Sequence, residues 1–472
     1  MLMLTCCGLM LTCCGLMLSG AAQAAESHPA PPASTERPAI TGPAMLATAG
    51  APTEPTSQSA SSPSRPGPDL IRPPAMPQLS AELRFRAARP IEPGGLQPGP
   101  DEGARGIFHR VRLGAAFERG ELSARLQLQA SGALGEAAPG ALPLAVGLQE
   151  GVVRGRLPLA NGLHVEAGRM ALSYGAGRHI GSYDFHSSGH AFDGLRVQLA
   201  VDTVLALDLL SVKIRRNSAQ PDKERNLTGL YLSGLPQADL RADLYFLYLG
   251  DGTATEEARL LTMGSRVDWQ PSRHLGLEGE ASVQVGTTRR TDQVEPDDHL
   301  ATALAATVRV KGTLGAPVSV VLRGHAYSGD QDEGDRVLAA WRPLYPSLDQ
   351  QVGLMQVFAP SNLAQVALRL RVELGGEVGE GVARWALELE GLASAARKGA
   401  PLSGYDGRTL DGDDGWLAIG REIDARLAWH WTAASEVLLA AAWFVPTDGT
   451  DVAGREDLGD AGLVLLQWTS RF

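Results

Sequence analysis

The chain ends in Val464-Leu465-Leu466-Gln467-Trp468-Thr469-Ser470-Arg471-Phe472, where large apolar residues at 464, 466, 468 and 472 share one parity. A β-strand projects successive side chains to opposite faces, so this stretch predicts a strand with one apolar face. The same alternation recurs in segments of roughly ten residues back to Leu83. Such a repeat, ending on a terminal Phe, is typical of a barrel with lipid outside and water inside.

Four internal segments show the alternation most clearly. In each of them, Leu, Val, Ala or Trp alternates with charged, amide or hydroxyl side chains. They are residues 121–130, 274–286, 362–374 and 421–431. Counting similar runs gives about eighteen or nineteen strands, and single-chain bacterial barrels favour the even number. We therefore expect an all-β fold, a transmembrane antiparallel β-barrel of about eighteen strands with a water-filled lumen. A soluble antiparallel sandwich or solenoid is the alternative.

The first residues are typical of an export signal. Residues 1–25 carry no charge, are apolar from Leu2 to Leu18, and contain Ala22-Gln23-Ala24 as a small-residue cleavage site, which predicts a signal peptide over 1–24. The first basic residue is only Arg37, and the heptad Met-Leu-Thr-Cys-Cys-Gly-Leu occurs twice, so the true start codon is open. Cys14 is a poor match to a lipoprotein acceptor. All four cysteines lie in this segment, which excludes disulfides and thiolate zinc sites from the mature chain.

Composition then divides the rest of the chain in two. Residues 25–78 are rich in Pro, Ala and Ser, which predicts a disordered N-terminal linker, and 79–472 form the predicted barrel. A role of this linker as a spacer that contacts the cell wall or a secretion partner is the alternative. After the signal no stretch is apolar enough to span a bilayer as a helix, so strands must do the spanning. The net charge of −11 is spread along the chain without a basic block, which argues against nucleic acid as a partner.

Two segments are more specific than the alternation. The first runs from Gly168-Arg169 through Leu172-Ser173-Tyr174-Gly175 to Phe192-Asp193-Gly194-Leu195-Arg196. The second runs from Tyr327-Ser328-Gly329-Asp330 to Pro343-Leu344-Tyr345-Pro346 and on to Gly353-Leu354-Met355. Both resemble motifs of the alginate-export family of outer-membrane porins. A weaker match is Glu422-Ile423-Asp424 leading to Trp443-Phe444-Val445-Pro446.

The resemblance implies a porin of the bacterial outer membrane with eighteen strands and a pore constricted by inward loops. It also implies a passive diffusion or export channel for polar or anionic solutes, among them a uronic-acid polysaccharide. The partners expected are outer-membrane lipid and the solute itself, with no cofactor and no metal; the oligomeric state is left open. The residues that carry the first motif are Gly168, Arg169, Tyr174, Gly175, Arg178, Asp184, Phe192, Asp193, Gly194 and Arg196. The arginines of this motif could bind solute carboxylates or pair internally with Asp184 and Asp193.

Placing the polar parity inward gives a set of basic residues expected to line the pore and set its selectivity. They are Arg84, Arg86, Arg110, Arg112, Arg125, Arg154, Arg156, Arg309, Lys311, Arg323, Arg369 and Arg371. The late strands place the acidic residues Glu388, Glu390, Glu422 and Asp424 in the same lumen, so both signs of charge are expected there. Rings of one sign select ions, whereas opposed signs orient a dipolar solute.

An enzyme is the main rival to a channel. The cluster Asp184, His186, Ser187, Ser188 and His190 contains the residue types of a nucleophile, base and carboxylate, as in a barrel lipase or esterase. Residues so close in sequence rarely supply that geometry, so we expect no catalytic residue. Residues 411–414, Asp-Gly-Asp-Asp, resemble the start of a calcium loop but lack the distal Glu.

Overall fold

The computed structural model describes residues 76–91, 106–134, 145–157, 162–200, 205–214, 224–234, 239–252, 256–290, 295–331, 335–375, 384–398, 400, 415–447 and 459–472. The predicted signal peptide, nearly all of the predicted linker and the acidic stretch 411–414 lie outside these residues. Those three expectations therefore stay predictions.

The described residues form nineteen strands and one short 3-10 helix, Leu348–Gln350. The strands are β1 Gln78–Ile91, β2 Gly106–Arg119, β3 Leu122–Leu134, β4 Ala145–Leu157, β5 Leu163–Met170, β6 Phe192–Ala200, β7 Ala206–Ile214, β8 Glu224–Ser233, β9 Leu240–Gly252, β10 Glu256–Ser272, β11 Leu275–Arg290, β12 Asp297–Thr313, β13 Pro317–Tyr327, β14 Val337–Leu338, β15 Leu363–Leu374, β16 Arg384–Arg397, β17 Trp416–Thr432, β18 Ser435–Pro446 and β19 Ala461–Arg471.

Eighteen of these strands close into one antiparallel barrel. Each pairs with its neighbours in chain order, and β13 pairs directly with β15. The short β14 only adds a parallel contact to β12. The ring is closed by β1 and β19, from Glu82 opposite Arg471 to Ile91 opposite Gly462. The expected fold class and the even strand number are confirmed. Within the described part of the chain, no helix has the length and apolarity to span a bilayer.

The two parities of each strand face different surroundings. On β1, Glu82, Arg84 and Arg86 are buried on the lumen side, while Phe85 between them is 40% exposed on the outer face. Phe85 stacks there on Trp468 of β19, with ring centroids 5.8 Å apart. Large apolar residues recur at the outward positions of strand after strand, so most of the outer surface is suited to hydrocarbon rather than to water.

The two ends of the barrel differ in the length of their connections. One end has two-residue turns at 120–121, 273–274 and 433–434. Strand β1 begins at this end, and strand β19 ends there. The other end has the long connections 171–191 and 328–362. We call these the short-turn end and the long-loop end.

Candidate functional site

Two long connections from the long-loop end fold into the lumen and contact each other. We call residues 171–191, between β5 and β6, loop A, and residues 328–362, between β13 and β15, loop B. The N–H of Gly181 in loop A donates to the carbonyl of Tyr345 in loop B over 2.8 Å, and the N–H of Tyr345 donates to the carbonyl of His179 over 2.8 Å. Main-chain hydrogen bonds therefore join the two loops to each other inside the barrel.

Apolar side chains of the loops are buried in two hydrophobic clusters that also contain residues of the barrel wall. Ile180 is fully buried, and Trp341, Tyr345 and Leu354 are at most 2% exposed. In one of these clusters Phe358 of loop B makes a T-shaped contact with Phe444 of β18, with centroids 5.5 Å apart. Aromatic contacts of this kind add to the burial of apolar area. The lumen at this level is filled in part by folded chain, not by water alone.

Loop A is held to the wall at one end by a buried carboxylate. Asp184 Oδ2 lies 3.0 Å from Arg84 Nη2, its Oδ1 lies 3.0 Å from Arg110 Nη2, and Arg112 Nη1 also donates to Oδ1. These arginines come from β1 and β2. Burial alone would raise the pKa of the Asp184 carboxyl, but Arg110, Arg112 and Arg84 lower that pKa to well below its usual range.

The same part of the wall also binds the main chain of loop A. Arg86 Nη2 donates to the carbonyl of Phe185 over 2.8 Å, and its guanidinium lies 3.5 Å from the centre of the Phe185 ring. Arg110 Nη1 donates to the carbonyl of His186 over 3.0 Å. Gln129 of β3 donates to the carbonyl of Ser188 over 3.0 Å. Three strands thus supply donors to carbonyls that would otherwise be buried without partners.

The opposite side of loop A is held by a second ion-pair cluster. Arg178 Nη1 lies 2.6 Å from Glu278 Oε1 and 2.5 Å from Glu280 Oε2 of β11. Burial would lower the pKa of Arg178, but the two glutamates raise that pKa above its usual value. His179 Nε2 is 2.8 Å from the hydroxyl of Tyr245 on β9. Loop A is therefore fixed to walls on both sides of the lumen.

Loop B is held by acceptors on β17. The N–H of Leu354 donates to Asp424 Oδ2 over 2.9 Å, and the N–H of Met355 donates to Glu422 Oε1 over 2.8 Å. Gly353, just before them, has a φ of +94°, and a Cβ there would lie 2.6 Å from Glu422 Oε1. A glycine at 353 is required for this close approach.

The basic residues expected to line the pore all lie on lumen-facing parities, but their surroundings differ. Arg84, Arg86 and Arg110 are 6%, 3% and 1% exposed beneath loop A, and Arg112 contacts the same loop. Arg323 is also largely covered, because it donates to the carbonyl of Gln350 in loop B. The others reach the open lumen to different extents; they are Arg125, Arg154, Arg156, Arg309, Lys311, Arg369 and Arg371. The part each plays in selectivity stays a prediction.

Ion pairs between arginines and glutamates cover much of the remaining lumen wall. Arg323 Nη2 lies 2.8 Å from Glu390 Oε1, and Arg369 Nη2 lies 2.9 Å from Glu390 Oε2. Arg426 Nη1 lies 2.6 Å from Glu388 Oε1. These strands run side by side, so the charges neutralise one another along the wall.

The arginines of the first motif pair within the protein. Arg169 Nη1 lies 3.5 Å from Asp193 Oδ2, on the outer face of β5 and β6. Arg178 contacts Glu278 and Glu280, as described above, and not Asp184. Arg196 Nη2 lies 2.5 Å from Asp208 Oδ2 on β7. Of the two internal partners considered from the sequence, Asp193 takes one of these arginines, while Asp184 takes the arginines of β1 and β2 instead.

The uncharged motif residues shape the wall and loop A. Phe192 is fully buried, and Tyr174 stacks on Tyr231 with centroids 4.6 Å apart. Gly168 has a φ of +122°, and a Cβ there would overlap the carbonyl oxygen of Gly151 on the next strand. A Cβ on Gly194 would likewise overlap the carbonyl oxygen of Ser211. These glycines permit close packing of neighbouring strands.

Sequence reasoning missed several residues that position the loops. From the sequence, Gln129, Glu278 and Glu280 are recognisable only as polar residues of alternating segments, and Tyr245 lies in none of those segments. Their partners lie 58 to 102 residues away in the chain, so no local spacing could identify them.

The Ser and His cluster in loop A does not form a catalytic relay in this structure. His186 Nδ1 is 2.8 Å from Ser188 Oγ, but the Asp184 carboxylate is bound by Arg84, Arg110 and Arg112. His190 Nδ1 instead lies 3.0 Å from the carbonyl of Gly181. Nowhere in the described ranges do three or more His, Cys, Asp or Glu side chains converge as a metal site would require.

Comparisons with known proteins agree with this geometry. The family model for alginate export matches residues 157–463, which is more than half of the chain. A comparison with curated protein sequences gave no match.

Among solved structures, OccAB4 of Acinetobacter baumannii has a TM-score of 0.56 at 9% identity and covers 84% of this chain and 99% of its own. OccK2 (OpdF) of Pseudomonas aeruginosa has a TM-score of 0.55 at 14% identity, covering 84% and 97%. The outer membrane protein OprD of Pseudomonas aeruginosa has a TM-score of 0.54 at 14% identity, covering 84% and 94%. The chain therefore belongs to the alginate-export family and is a porin of the bacterial outer membrane, a β-barrel channel for solutes.

Proposed function

We propose that this porin is a passive channel with a preference for anionic solutes, and that uronic-acid oligomers or polysaccharides are the cargo class that fits it. The proposal rests on two basic side chains, those of Arg125 and Lys311. Both are exposed on lumen-facing positions, and neither has an ion-pair partner within the described residues.

These two residues face each other across the channel. β3 and β12 are nine steps apart in the ring of eighteen strands in either direction. Arg125 is the fourth residue of β3 and Lys311 the third from the end of β12, so both lie at the short-turn end. Short turns face the periplasm in outer-membrane barrels, and we therefore place this pair at the periplasmic mouth. A solute leaving the cell would meet it first.

Other charges at this mouth make the expected preference moderate. Arg154 Nε lies 3.5 Å from Glu166 Oε1, and Arg156 Nε lies 3.9 Å from Glu121 Oε2, so the carboxylates offset these cations. Glu118 and Glu150 add negative charge on lumen-facing positions. Exposed ion pairs contribute little free energy in water, so arginines at 154 and 156 are still available to a passing carboxylate. Weak contacts of this kind let a channel release what it binds.

The buried arginines are excluded from this role by their contacts. Arg84, Arg86 and Arg110 donate to Asp184, Phe185 and His186 of loop A. A solute would have to displace the loop to reach them. This separates the arginines that hold loop A from those that can meet a solute.

Reversal potentials in planar bilayers test the proposal. In a salt gradient the wild-type channel should favour anions, and Arg125→Gln with Lys311→Gln should move the reversal potential toward zero. Block by oligouronates added on the periplasmic side should weaken about fivefold. Arg421→Gln, on the outer face of β17, is the matched control and should change neither. An unchanged reversal potential in the double variant would overturn the proposal.

We further propose that the porin has no enzymatic activity. The support is that Asp184, the only carboxylate in the Ser and His cluster of loop A, is committed to three arginines. Purified, refolded protein should hydrolyse neither phospholipid nor ester substrates. Activity that disappears in Ser188→Ala would contradict this.

A further inference from the structure

We infer that Arg259 and Arg289, on the outer surface of the barrel, form a binding site for a phosphate group of the outer-leaflet glycolipid. The site lies on the lipid-facing wall and not in the lumen. Its occupation requires the membrane location of the porin but does not depend on which solute passes through the channel.

The two arginines are joined by one carboxylate. Arg259 Nη2 lies 2.7 Å from Glu257 Oε1, and Arg289 Nη2 lies 2.7 Å from Glu257 Oε2. Glu257 and Arg289 are paired across β10 and β11, and Arg259 opposes Thr287 on the same face. Each oxygen of the carboxylate holds one guanidinium, so the two planar groups are oriented side by side.

This cluster is open to its surroundings and carries excess positive charge. The side chains of Arg259 and Arg289 are 64% and 49% exposed. Two guanidinium groups share a single carboxylate, which leaves one net positive charge within this cluster of three residues. Their remaining N–H groups can bind an anion, and guanidinium forks match the oxygens of a phosphate in a bidentate way.

The depth of the cluster fits a lipid headgroup. The outward residues of β11 from Leu275 to Val285 are uncharged. Ten residues at ~3.3 Å span ~33 Å along the strand, or ~25 Å after a tilt of ~40°, which is the height of the apolar band in such barrels. Arg259, level with Thr287, then lies ~5 Å beyond the band and Arg289 ~10 Å beyond it. Lipid headgroups occupy this layer.

The charge is restricted to one end of these strands. Toward the short-turn end the outward residues of β10 are Val267 and Trp269, and those of β11 are Leu277 and Leu275. The cluster lies at the long-loop end, which faces the cell exterior. The outer leaflet there is made of a glycolipid whose headgroup carries phosphates, so the basic cluster and its anion are on the same side. Tyr248 of β9, outward and 45% exposed, adds an aromatic surface at the apolar boundary beside Leu261.

Retention of lipid A on the purified porin tests the site. We would exchange wild-type porin into detergent with added lipid A that carries its phosphates and count bound lipid by native mass spectrometry. Dephosphorylated lipid A and phosphatidylethanolamine serve as separate probes. Wild-type porin should retain the phosphorylated lipid in preference to both, and added salt should weaken the retention.

The variants separate charge from geometry. Arg259→Gln with Arg289→Gln should reduce retention of phosphorylated lipid A at least about tenfold, since two charge-assisted hydrogen-bond donors are lost. Arg259→Lys with Arg289→Lys keeps the charge without the fork and should give an intermediate value. Arg273→Gln, in the turn at the short-turn end, is the matched control and should behave as wild type.

Heat-modifiable gel mobility shows whether each variant is folded, and channel conductance should be the same in all of them because the cluster faces away from the lumen. Equal retention by wild type and the double Gln variant would overturn the inference. So would equal retention of phosphorylated and dephosphorylated lipid A. A loss of barrel dimers in the double variant without a change in bound lipid would also overturn it, because the cluster would then join two copies of the chain.

Discussion

The main chain of Gly181 in loop A and that of Tyr345 in loop B meet at a hydrogen bond of 2.8 Å from N–H to carbonyl. The bond is flanked by two others, from Tyr345 to His179 and from Ser347 to Gly177, each 2.8 Å long. A strand-like contact of this kind holds the two loops together. We therefore expect the width of the channel at this level to depend on both loops.

Substitution at Gly181 should separate the loops. A Cβ at position 181 would overlap Ser347 Oγ and lie 3.0 Å from the main-chain nitrogen of Ser347. Gly181→Ala is therefore expected to raise single-channel conductance and its open-channel noise. Recordings in planar bilayers measure both. Ser347→Gly, added to Gly181→Ala, removes the hydroxyl and should restore part of the wild-type conductance, as expected for neighbouring sites.

The control for this prediction is Gly279→Ala on β11. A Cβ there meets no atom within 4 Å, so its conductance should match wild type. If Gly181→Ala also conducts as wild type, the two loops do not set the width of the channel.

Removal of the Asp184 carboxylate should release one side of loop A. Asp184→Ala leaves Arg84, Arg110 and Arg112 without the anion that they share. Breaking a buried ion pair in this way costs about 3–5 kcal/mol, and we expect most of it to appear as local opening of the loop. Limited proteolysis of folded porin should show faster cleavage within 171–191. Asp298→Asn, exposed on the outer face of β12, should leave the cleavage rate unchanged.

The anchoring of loop A should also depend on pH in a defined direction. The pKa of Asp184 is lowered when the loop is bound, and an unbound, solvated Asp has a pKa of about 3.9. The stabilisation is then fully present above about pH 4 and is lost as the pH falls toward the lower pKa of the bound state. Proteolysis with an acid-stable protease should be flat from pH 7 to pH 5 and rise below pH 4. In Asp184→Asn this rise should disappear; a wild-type rise near pH 6 would point to another group.

The arginines beneath loop A and those at the periplasmic mouth should respond differently to substitution. Arg110→Gln removes donors to Glu82, Asp184 and His186 and should increase conductance noise with little effect on ion preference. Arg125→Gln should shift the ion preference with little effect on conductance noise. Reversal potential and noise can be read from the same recording. A shift of reversal potential in Arg110→Gln alone would show that Arg110 is accessible to ions.

Much of the barrel could be predicted from the sequence, because the alternation that indicates a strand involves only neighbouring residues. The alternation that places Leu126 outward and Arg125 inward depends only on the period of a strand. The partners of Asp184 were not readable, since Arg84 and Arg110 precede it by 100 and 74 residues. Their meeting depends on strand register, on barrel closure and on the inward course of loop A. None of these leaves a pattern in a single sequence, and so Arg84 and Arg110 could be placed in the lumen but not beneath a loop.

A substitution in loop B tests, without any change of charge, whether this loop narrows the channel. Gly353 has a φ of +94°, where an L-residue costs about 1–2 kcal/mol, and a Cβ there would press on Glu422 Oε1 at 2.6 Å. Glu422 is the acceptor for the N–H of Met355, so the displaced loop should lose that hydrogen bond as well. We expect Gly353→Ala to raise conductance while the reversal potential stays at the wild-type value, because every lumen charge is retained. Gly391→Ala, on β16 with no atom within 4 Å of its Cβ, is the matched control and should change neither quantity. Unaltered conductance in Gly353→Ala would mean that loop B does not narrow the channel, and a shifted reversal potential would mean that Glu422 is exposed to ions when the loop moves.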